Sequence, residues 1–173
     1  MLGKGSWLNL SRGWMLGCDT LLEHLATTVR WHRGRRRMYD RVLDDPRLSR
    51  WYPAGVAAPH RALDQARAEL AGRYGAAFGS LALNYYRDGR DSVAFHGDRE
   101  LRDTTDSLVG ILTLGATRPF LLRPRGGGRS IDVRPASGDI LVMGGRTQAD
   151  WEHCVPKISH AGPRISASWR WSA

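Results

Sequence analysis

Short apolar segments separated by turn residues fill the chain from Phe78 onward, and this pattern restricts the folds open to it. The predicted strands are Ser80–Tyr86, Ser107–Leu114, Pro119–Arg123, Ser130–Val133, Asp139–Met143 and Arg164–Trp171. Turn residues lie between them, including a predicted hairpin tip at Gly126–Gly128. Many short strands at close spacing are typical of a β-sandwich or a β-barrel.

Two helices are predicted before this β-rich part. The first follows Asp19, which can cap a helix N-terminus, and its apolar residues recur at helical spacing: Leu21, Leu22, Leu25 and Val29. The second covers about 60–74, with Gly75 as its C-terminal cap. Between them, Arg33–Arg37 and Pro46–Pro53 are basic, aromatic and interrupted by proline, which predicts an exposed loop or hairpin.

Charge and cysteine content narrow the functional classes. A length of 173 residues fits one domain, and a net charge of +9 favours a polyanionic partner such as nucleic acid. Cys18 and Cys154 form no metal-type or redox-type pair, so we expect free thiols in a reducing compartment. No apolar run has the length of a membrane span and no secretory signal is visible. We therefore expect a soluble, cytoplasmic, monomeric protein that does not enter membranes.

A histidine and an aspartate separated by one residue, His96 and Asp98, lie on a segment predicted to be extended. Side chains at this spacing point to the same side, so the pair can chelate one metal ion. A surface histidine beside a solvated aspartate would give the same triplet. His153, past the predicted strand Asp139–Met143, is the best third ligand. Two histidines and one carboxylate suit non-haem iron(II) with open coordination positions, and zinc uses the same ligand types.

The predicted last strand alternates polar and apolar side chains. Its two faces carry Arg164, Ser166, Ser168 and Arg170 on one side and Ile165, Ala167 and Trp169 on the other. A buried arginine needs an anion, and a dicarboxylate supplies bidentate hydrogen bonds. The two arginines are roughly 20 Å apart at about 3.3 Å per residue, so one small diacid would not bridge both. An edge strand with two surface arginines is the alternative.

About half of the chain resembles the AlkB-like dioxygenases, which are iron(II)- and 2-oxoglutarate-dependent nucleic-acid demethylases. The similar segments occur in the family's order: Asn84–Tyr86, Asp91–Asp98, Leu114–Arg118, Gly138–Met143, Gln148–Lys157 and Gly162–Arg170. Pro46–Tyr52 resembles the lid of the branch that acts on alkylated bases, and the first 30 residues are similar only loosely. The resemblance is carried by the combination of segments, which is far more specific than the His96–Asp98 pair.

The resemblance implies an α+β, mainly β fold, a double-stranded β-helix or jelly roll with flanking N-terminal helices. It implies a single domain over residues 1–173. Within it, helices and a nucleotide-recognition lid would occupy about 1–77, and the catalytic jelly roll would occupy about 78–173.

The resemblance also implies roles for individual residues. The iron(II) ligands would be His96, Asp98 and His153. The residues around the cosubstrate 2-oxoglutarate would be Asn84, Tyr86, Arg164, Ser166 and Arg170. Arg164 would pair with the distal carboxylate, and Arg170 would support Asp98 and the keto-acid end. Ser166 is a departure, because many relatives have an asparagine at this position.

The implied reaction is oxidative demethylation of bases such as N1-methyladenine and N3-methylcytosine in DNA or RNA. It consumes O2 and 2-oxoglutarate and releases formaldehyde, succinate and carbon dioxide. The base must leave the stack to reach a buried metal. The candidates for base stacking are Trp51 and Tyr52. The candidates for phosphate contact are Arg35, Arg36, Arg37, Arg47 and Arg50. Glu100 occupies a position where the family tends to place an acid that favours a cationic base, although a solvated loop acid is the alternative.

Two other functions stay open. One is the same chemistry on a protein side chain or a small molecule. The other is a non-catalytic nucleic-acid-binding module on a degenerate dioxygenase scaffold. The complete triad argues against the module, and the basic aromatic segment from Arg33 to Tyr52 favours nucleic acid over the other substrates.

Overall fold

The computed structural model describes residues 2–3, 5–38 and 41–173, with the backbone alone described for 36–38 and 41–43. In this part of the chain the helices are α1 (Cys18–Thr28), α2 (Arg61–Tyr74) and α3 (Thr147–Asp150). The strands are β1 (Ser6–Ser11), β2 (Arg35–Met38), β3 (Arg41–Asp44), β4 (Leu48–Tyr52), β5 (Leu81–Tyr86), β6 (Val93–His96), β7 (Ser107–Gly115), β8 (Leu121–Pro124), β9 (Ile131–Asp132), β10 (Ile140–Gly145), β11 (Trp151–Val155) and β12 (Arg164–Ser172).

Two antiparallel sheets form the body of the fold. The larger has six strands in the order β1-β10-β7-β12-β5-β4, and the smaller has four in the order β6-β11-β8-β9. Most neighbouring strands are distant in sequence, as in a jelly roll and unlike a meander. The mainly β jelly roll with N-terminal helices is therefore confirmed. A separate β2–β3 hairpin agrees with the hairpin predicted after Arg33.

Strand β7 shows how the layers pack. It is buried along almost its whole length because it lies inside the larger sheet, between the helices and the smaller sheet. Leu112 and Leu114 belong to the cluster that includes α1 and α2 residues, whereas Val109 and Ile111 belong to the cluster between the sheets. Gly110 faces α2, where an added Cβ would lie 2.9 Å from a Leu70 methyl carbon.

The helix boundaries differ slightly from the predicted ones. The prediction of Asp19 as the cap of α1 is wrong, because Asp19 lies in the first turn and Gly17 precedes the helix with φ 71°. Helix α2 begins after His60, whose Nδ1 accepts a hydrogen bond from the Ala62 backbone N–H. Its predicted end is confirmed, since Gly75 has φ 62°, a left-handed conformation that favours glycine.

The sequence did not predict the strands β1, β4 and β11, and it predicted β6 only as an extended segment at His96 and Asp98. Strand β4 falls in Pro46–Pro53, which was expected to be an exposed loop or hairpin, and it pairs with β5. Strand β1 pairs with β10 at the opposite edge of the larger sheet. Edge strands carry polar and charged side chains, which hides the alternation that marks a strand. The larger sheet therefore joins residues on both sides of position 77.

The described part of the chain contains no helix of the length and apolar character needed to cross a membrane. Cys18 and Cys154 are buried and free, as predicted. Burial raises the pKa of both thiols, which favours their neutral form.

Candidate active site

A narrow cavity between the two sheets collects most of the predicted site residues. Its walls include Asn84, Tyr86, Ser166 and Arg170 from the larger sheet, and His96 and His153 from the smaller one, with Asp98 beside them. The space open to the centre of a water molecule in it is about 40 Å³.

The two histidines are neighbours across a strand pair. His96 ends β6 and lies opposite His153 of β11, with ring centroids 4.4 Å apart. His96 Nδ1 is 2.9 Å from the Ala94 carbonyl oxygen. Because a carbonyl only accepts hydrogen bonds, this contact assigns the proton to Nδ1 and leaves the Nε2 lone pair free. Burial, and then the neighbouring His96, lower the pKa of His153 to about 3, so its ring is neutral at physiological pH.

Asp98 is held by two groups. Its carboxylate accepts hydrogen bonds from Arg170, at 2.8 Å from Nε and 3.2 Å from Nη2. Its backbone N–H donates to Gln148 Oε1 at 3.0 Å. Burial opposes ionisation of the carboxyl, but the Arg170 guanidinium, followed by the two histidines, outweighs it and lowers the pKa of Asp98. Asp98 is therefore an oriented, ionised carboxylate.

These three side chains fit iron(II) by their donor chemistry. Within residues 2–3, 5–38 and 41–173, no three His, Cys, Asp or Glu side chains have the arrangement of a metal site. At this position the Asp98 carboxylate is instead paired with Arg170. Each carboxylate oxygen keeps an acceptor position after one hydrogen bond. Two neutral imidazoles and a carboxylate are the ligand types of non-haem iron(II) sites. The triad stays a prediction whose members the fold brings side by side.

Arg164 is a buried cation with only weak partners. Its side chain is 0% exposed, and its hydrogen bonds to Ser166 Oγ, the Pro135 carbonyl and Thr113 Oγ1 are 3.4, 3.4 and 3.2 Å long. None of its partners among the described residues is acidic. Burial lowers the pKa of Arg164 to about 10, so the group stays charged at physiological pH. Such an arginine needs an anion.

Arg164 reaches the cavity through its neighbours. It does not line the cavity, but Ser166 Oγ, which its Nε approaches, does so. In the pairing of β12 with β5, Arg164 lies opposite Tyr86 and Ser166 lies opposite Asn84. Tyr86 is buried, and burial raises the pKa of its hydroxyl, which keeps it a hydrogen-bond donor. The fold thus groups three of the predicted 2-oxoglutarate residues around Arg164.

Arg47, a predicted phosphate contact, lies on the cavity wall. Its side chain lines the cavity, and its Nε donates to Asn84 Oδ1 at 2.8 Å. In this position the guanidinium contacts a predicted cosubstrate residue, and its contact with phosphate stays a prediction.

The other predicted substrate residues whose side chains the structure describes do not line the cavity. Trp51 is 60% exposed, whereas Tyr52 packs against the core beneath the guanidinium of Arg50. Glu100 is exposed in a short 3₁₀ turn (Arg99–Leu101) and does not line the cavity. Arg35 is exposed and pairs with Asp44 at 3.3 Å. The side chains of Arg36 and Arg37 lie outside the described residues.

Three residues were given no role from the sequence. Phe120 stacks on His153, with ring centroids 5.3 Å apart. Gln148 holds the backbone of Asp98. Arg118, fully buried, donates to the carbonyls of Asp88, Asp91 and Pro156. No local pattern marks these roles, although Gln148 and Arg118 lie in segments that carry the family resemblance.

Comparison with family models agrees with this geometry. Residues 19–170 match the model of the 2OG-Fe(II) oxygenase superfamily. The mouse protein "Alpha-ketoglutarate-dependent dioxygenase alkB homolog 3" is 32% identical, with 88% of this chain and 60% of that relative covered. "DNA oxidative demethylase ALKBH2" of Arabidopsis thaliana is 32% identical over 56% of this chain and 38% of that relative. The chain spans about three fifths of the length of the alkB homolog 3 relatives that it matches.

Solved structures support the fold. A Pseudomonas putida prolyl-4-hydroxylase superposes with a TM-score of 0.63 at 16% identity, covering 96% of this chain and 92% of that one. A Trichoplax adhaerens prolyl hydroxylase in complex with a hypoxia inducible factor peptide gives 0.66 at 12% identity, covering 95% and 83%. At such identities the likeness concerns the fold alone.

Proposed function

Since the chain belongs to the 2OG-Fe(II) oxygenase superfamily, we propose that it demethylates N-alkylated bases in nucleic acid, using iron(II), O2 and 2-oxoglutarate. One observation carries the proposal. Arg164, a buried cation without an acidic partner among the described residues, lies on the same strand face as Arg170, which pairs with Asp98 beside the two histidines. One strand thus presents an anion-binding group and a support for the predicted metal ligands.

The chain's own residues would bind and orient the cosubstrate. Arg164 offers a guanidinium fork for a carboxylate, with the Tyr86 hydroxyl as a further donor nearby. Arg47, which lines the cavity, would exchange its hydrogen bond to Asn84 for contacts with the incoming diacid. The apolar side chains Val109 and Ile111 on the cavity wall would exclude water around it.

His96, Asp98 and His153 would hold iron(II). The Ala94 carbonyl fixes the His96 tautomer, Phe120 stacks on His153, and Arg170 orients Asp98. When bound, iron(II) and 2-oxoglutarate supply the O2 activation that oxidises an N-methyl group, with release of formaldehyde, succinate and carbon dioxide. Arg170, paired with Asp98, keeps that carboxylate ionised as a ligand requires.

Charge and one exposed aromatic side chain support nucleic acid as the substrate. The net charge of +9 favours a polyanion. Trp51 offers an exposed ring for base stacking, and Arg50, exposed beside it, offers a phosphate contact. One of the relatives is named as a DNA oxidative demethylase, which agrees with this choice.

The test is product release from a single-stranded oligonucleotide that carries N1-methyladenine, with iron(II), ascorbate and 2-oxoglutarate. We expect formaldehyde and succinate in equal amounts, and neither with Asp98→Ala. Succinate without formaldehyde would keep the dioxygenase and remove the proposed substrate, and a panel of methylated RNA and peptides would follow. Absence of both products, in protein whose fold is intact by circular dichroism, would refute the proposed activity.

A further inference from the structure

A buried amide side chain holds the turn that carries His96 and Asp98. Gln148 is 1% exposed, and its Oε1 accepts the Asp98 backbone N–H at 3.0 Å. Its Nε2 lies 3.8 Å from Met143 Sδ, a weak acceptor. Because the amide oxygen is directed at Asp98 from a fully packed position, Gln148 restrains the backbone of this residue without contacting its carboxylate.

Arg125, which lies close to Gly97 of the same turn, holds the Gln148 segment by hydrogen bonds. Arg125 donates from Nη2 to the Gln148 carbonyl at 2.8 Å and from Nε to the Ala149 carbonyl at 2.7 Å. A Cβ on Gly97 would lie 2.8 Å from Arg125 Nη2 and 3.1 Å from the Gln148 carbonyl oxygen. The missing side chain at position 97 therefore lets Arg125 and the Gln148 backbone approach the His96–Asp98 turn.

The chain order ties this contact to the third predicted ligand. Helix α3, which contains Gln148, runs directly into β11, which contains His153. A short rigid segment thus joins the amide that holds Asp98 to the strand that carries His153. The distance between these two predicted ligands depends on the Gln148 hydrogen bond as well as on the β6–β11 pairing.

We propose that Gln148 is a positioning residue of the metal centre, acting through the backbone N–H of Asp98, with Arg125 and Gly97 completing the clamp. The inference rests on the proposed function, since it takes His96, Asp98 and His153 as the ligands. Residues that orient metal ligands usually change metal affinity by about 10–100-fold when they are replaced.

The experiment uses the whole chain with Co(II), a spectroscopic probe for the iron(II) position. Gln148→Met keeps the side-chain volume and removes the acceptor, and Gln65→Met on the surface of α2 is the matched control. We expect Co(II) to bind Gln148→Met about tenfold more weakly, with altered visible absorption bands because the Asp98 carboxylate is displaced. The control should keep the wild-type affinity and spectrum.

The outcomes separate this inference from the proposed function. Wild-type affinity and spectrum in Gln148→Met, even with a lower unfolding temperature, would make Gln148 a core residue only and overturn the inference. No Co(II) binding by the wild-type chain would remove the proposed metal centre and the inference with it. If Gln148→Met does not fold, Arg125→Lys, which keeps the charge and loses the fork, should show a smaller loss in the same direction, and its absence would overturn the inference.

Discussion

Replacing Arg164 with methionine tests whether this arginine binds an anion or stabilises the fold. The side chain is fully buried, and its bonds of 3.2–3.4 Å join it only to neutral acceptors. Replacing a buried ion pair with apolar groups of similar size is often neutral or stabilising, by about 1–4 kcal/mol. Arg164 has no acidic partner among the described residues whose charge the methionine would leave unpaired. We therefore expect ligand-free Arg164→Met to unfold within about 1 kcal/mol of the wild type, or to be more stable.

Arg164→Met should weaken the binding of 2-oxoglutarate, although it leaves the stability of the ligand-free protein almost unchanged or higher. A fork of two charge-assisted hydrogen bonds contributes about 3–6 kcal/mol, at about 1.5–3 each, so the 2-oxoglutarate Kd should rise about 100-fold or more. At a concentration 100 times the wild-type Kd, the ligand stabilises the wild type by about 2.7 kcal/mol and the variant by about 0.4. In a chain of this size that is a rise in unfolding temperature of about 5–10 °C against about 1 °C.

Arg118→Met is the matched control, because Arg118 is equally buried but makes shorter hydrogen bonds through its two Nη atoms, while its Nε has no partner among the described residues. It donates at 2.9, 2.9 and 2.7 Å to the carbonyls of Asp88, Asp91 and Pro156. The Asp88 carbonyl keeps the Asp91 N–H as a donor, but the Asp91 and Pro156 carbonyls lose theirs. At about 1–3 kcal/mol for each, this variant should lose about 2 kcal/mol or more. The assay is thermal unfolding with Mn(II), with and without 2-oxoglutarate. The assignment of Arg164 as an anion-binding residue would be refuted by either of two results. One is equal destabilisation of both variants without ligand, and the other is a rise in unfolding temperature with 2-oxoglutarate in Arg164→Met that equals that of the wild type.

Three further predictions address the ligand turn, the buried histidine and the surface. Gly97→Ala should lower the free energy of unfolding in urea by about 1 kcal/mol, since the added Cβ would lie 3.1 Å from the Gln148 carbonyl oxygen. Unchanged stability would show that Arg125 and the Gln148 backbone can move to make room for the added Cβ. Burial, and then His96, lower the pKa of His153 from 6.5 to about 3. As pH falls below about 6.5, His153 is protonated in the unfolded chain but not in the folded one, so the free energy of unfolding of the metal-free protein should fall. If a His153→Gln variant lost as much stability over the same pH range, His153 would not be the cause. Trp51→Ala should weaken single-strand binding about tenfold, and Arg50→Gln should reduce the slope of log Kd against log salt by about 0.7; unchanged values in a salt titration would remove both residues from the nucleic-acid surface.

The local sequence pattern was enough to predict elements such as β12, in which one face is apolar and the other is polar. In β12 the alternation of Ile165, Ala167 and Trp169 with polar residues predicted one face in the core, and these three side chains belong to the cluster that includes helix residues. The C-terminal end of α2 was predictable because Gly75 adopts the left-handed conformation that glycine favours. Strand β4 was not predictable in this way, because its exposed edge carries Arg50 and Trp51.

The sequence by itself determined the strand-rich architecture and the polar face of β12, because strand geometry alone repeats side chains every two residues. The metal-ligand residues that it indicates stay a prediction. Tertiary structure alone decided which charges are paired. Asp98 and Arg170 are distant in sequence and meet at 2.8 Å, whereas Arg164, on the same strand, is left with neutral partners among the described residues. It also decided that Arg47 lies in the cavity. A side chain's partners come from strands joined by long loops, and their proximity depends on the packing of the two sheets, which no local repeat encodes.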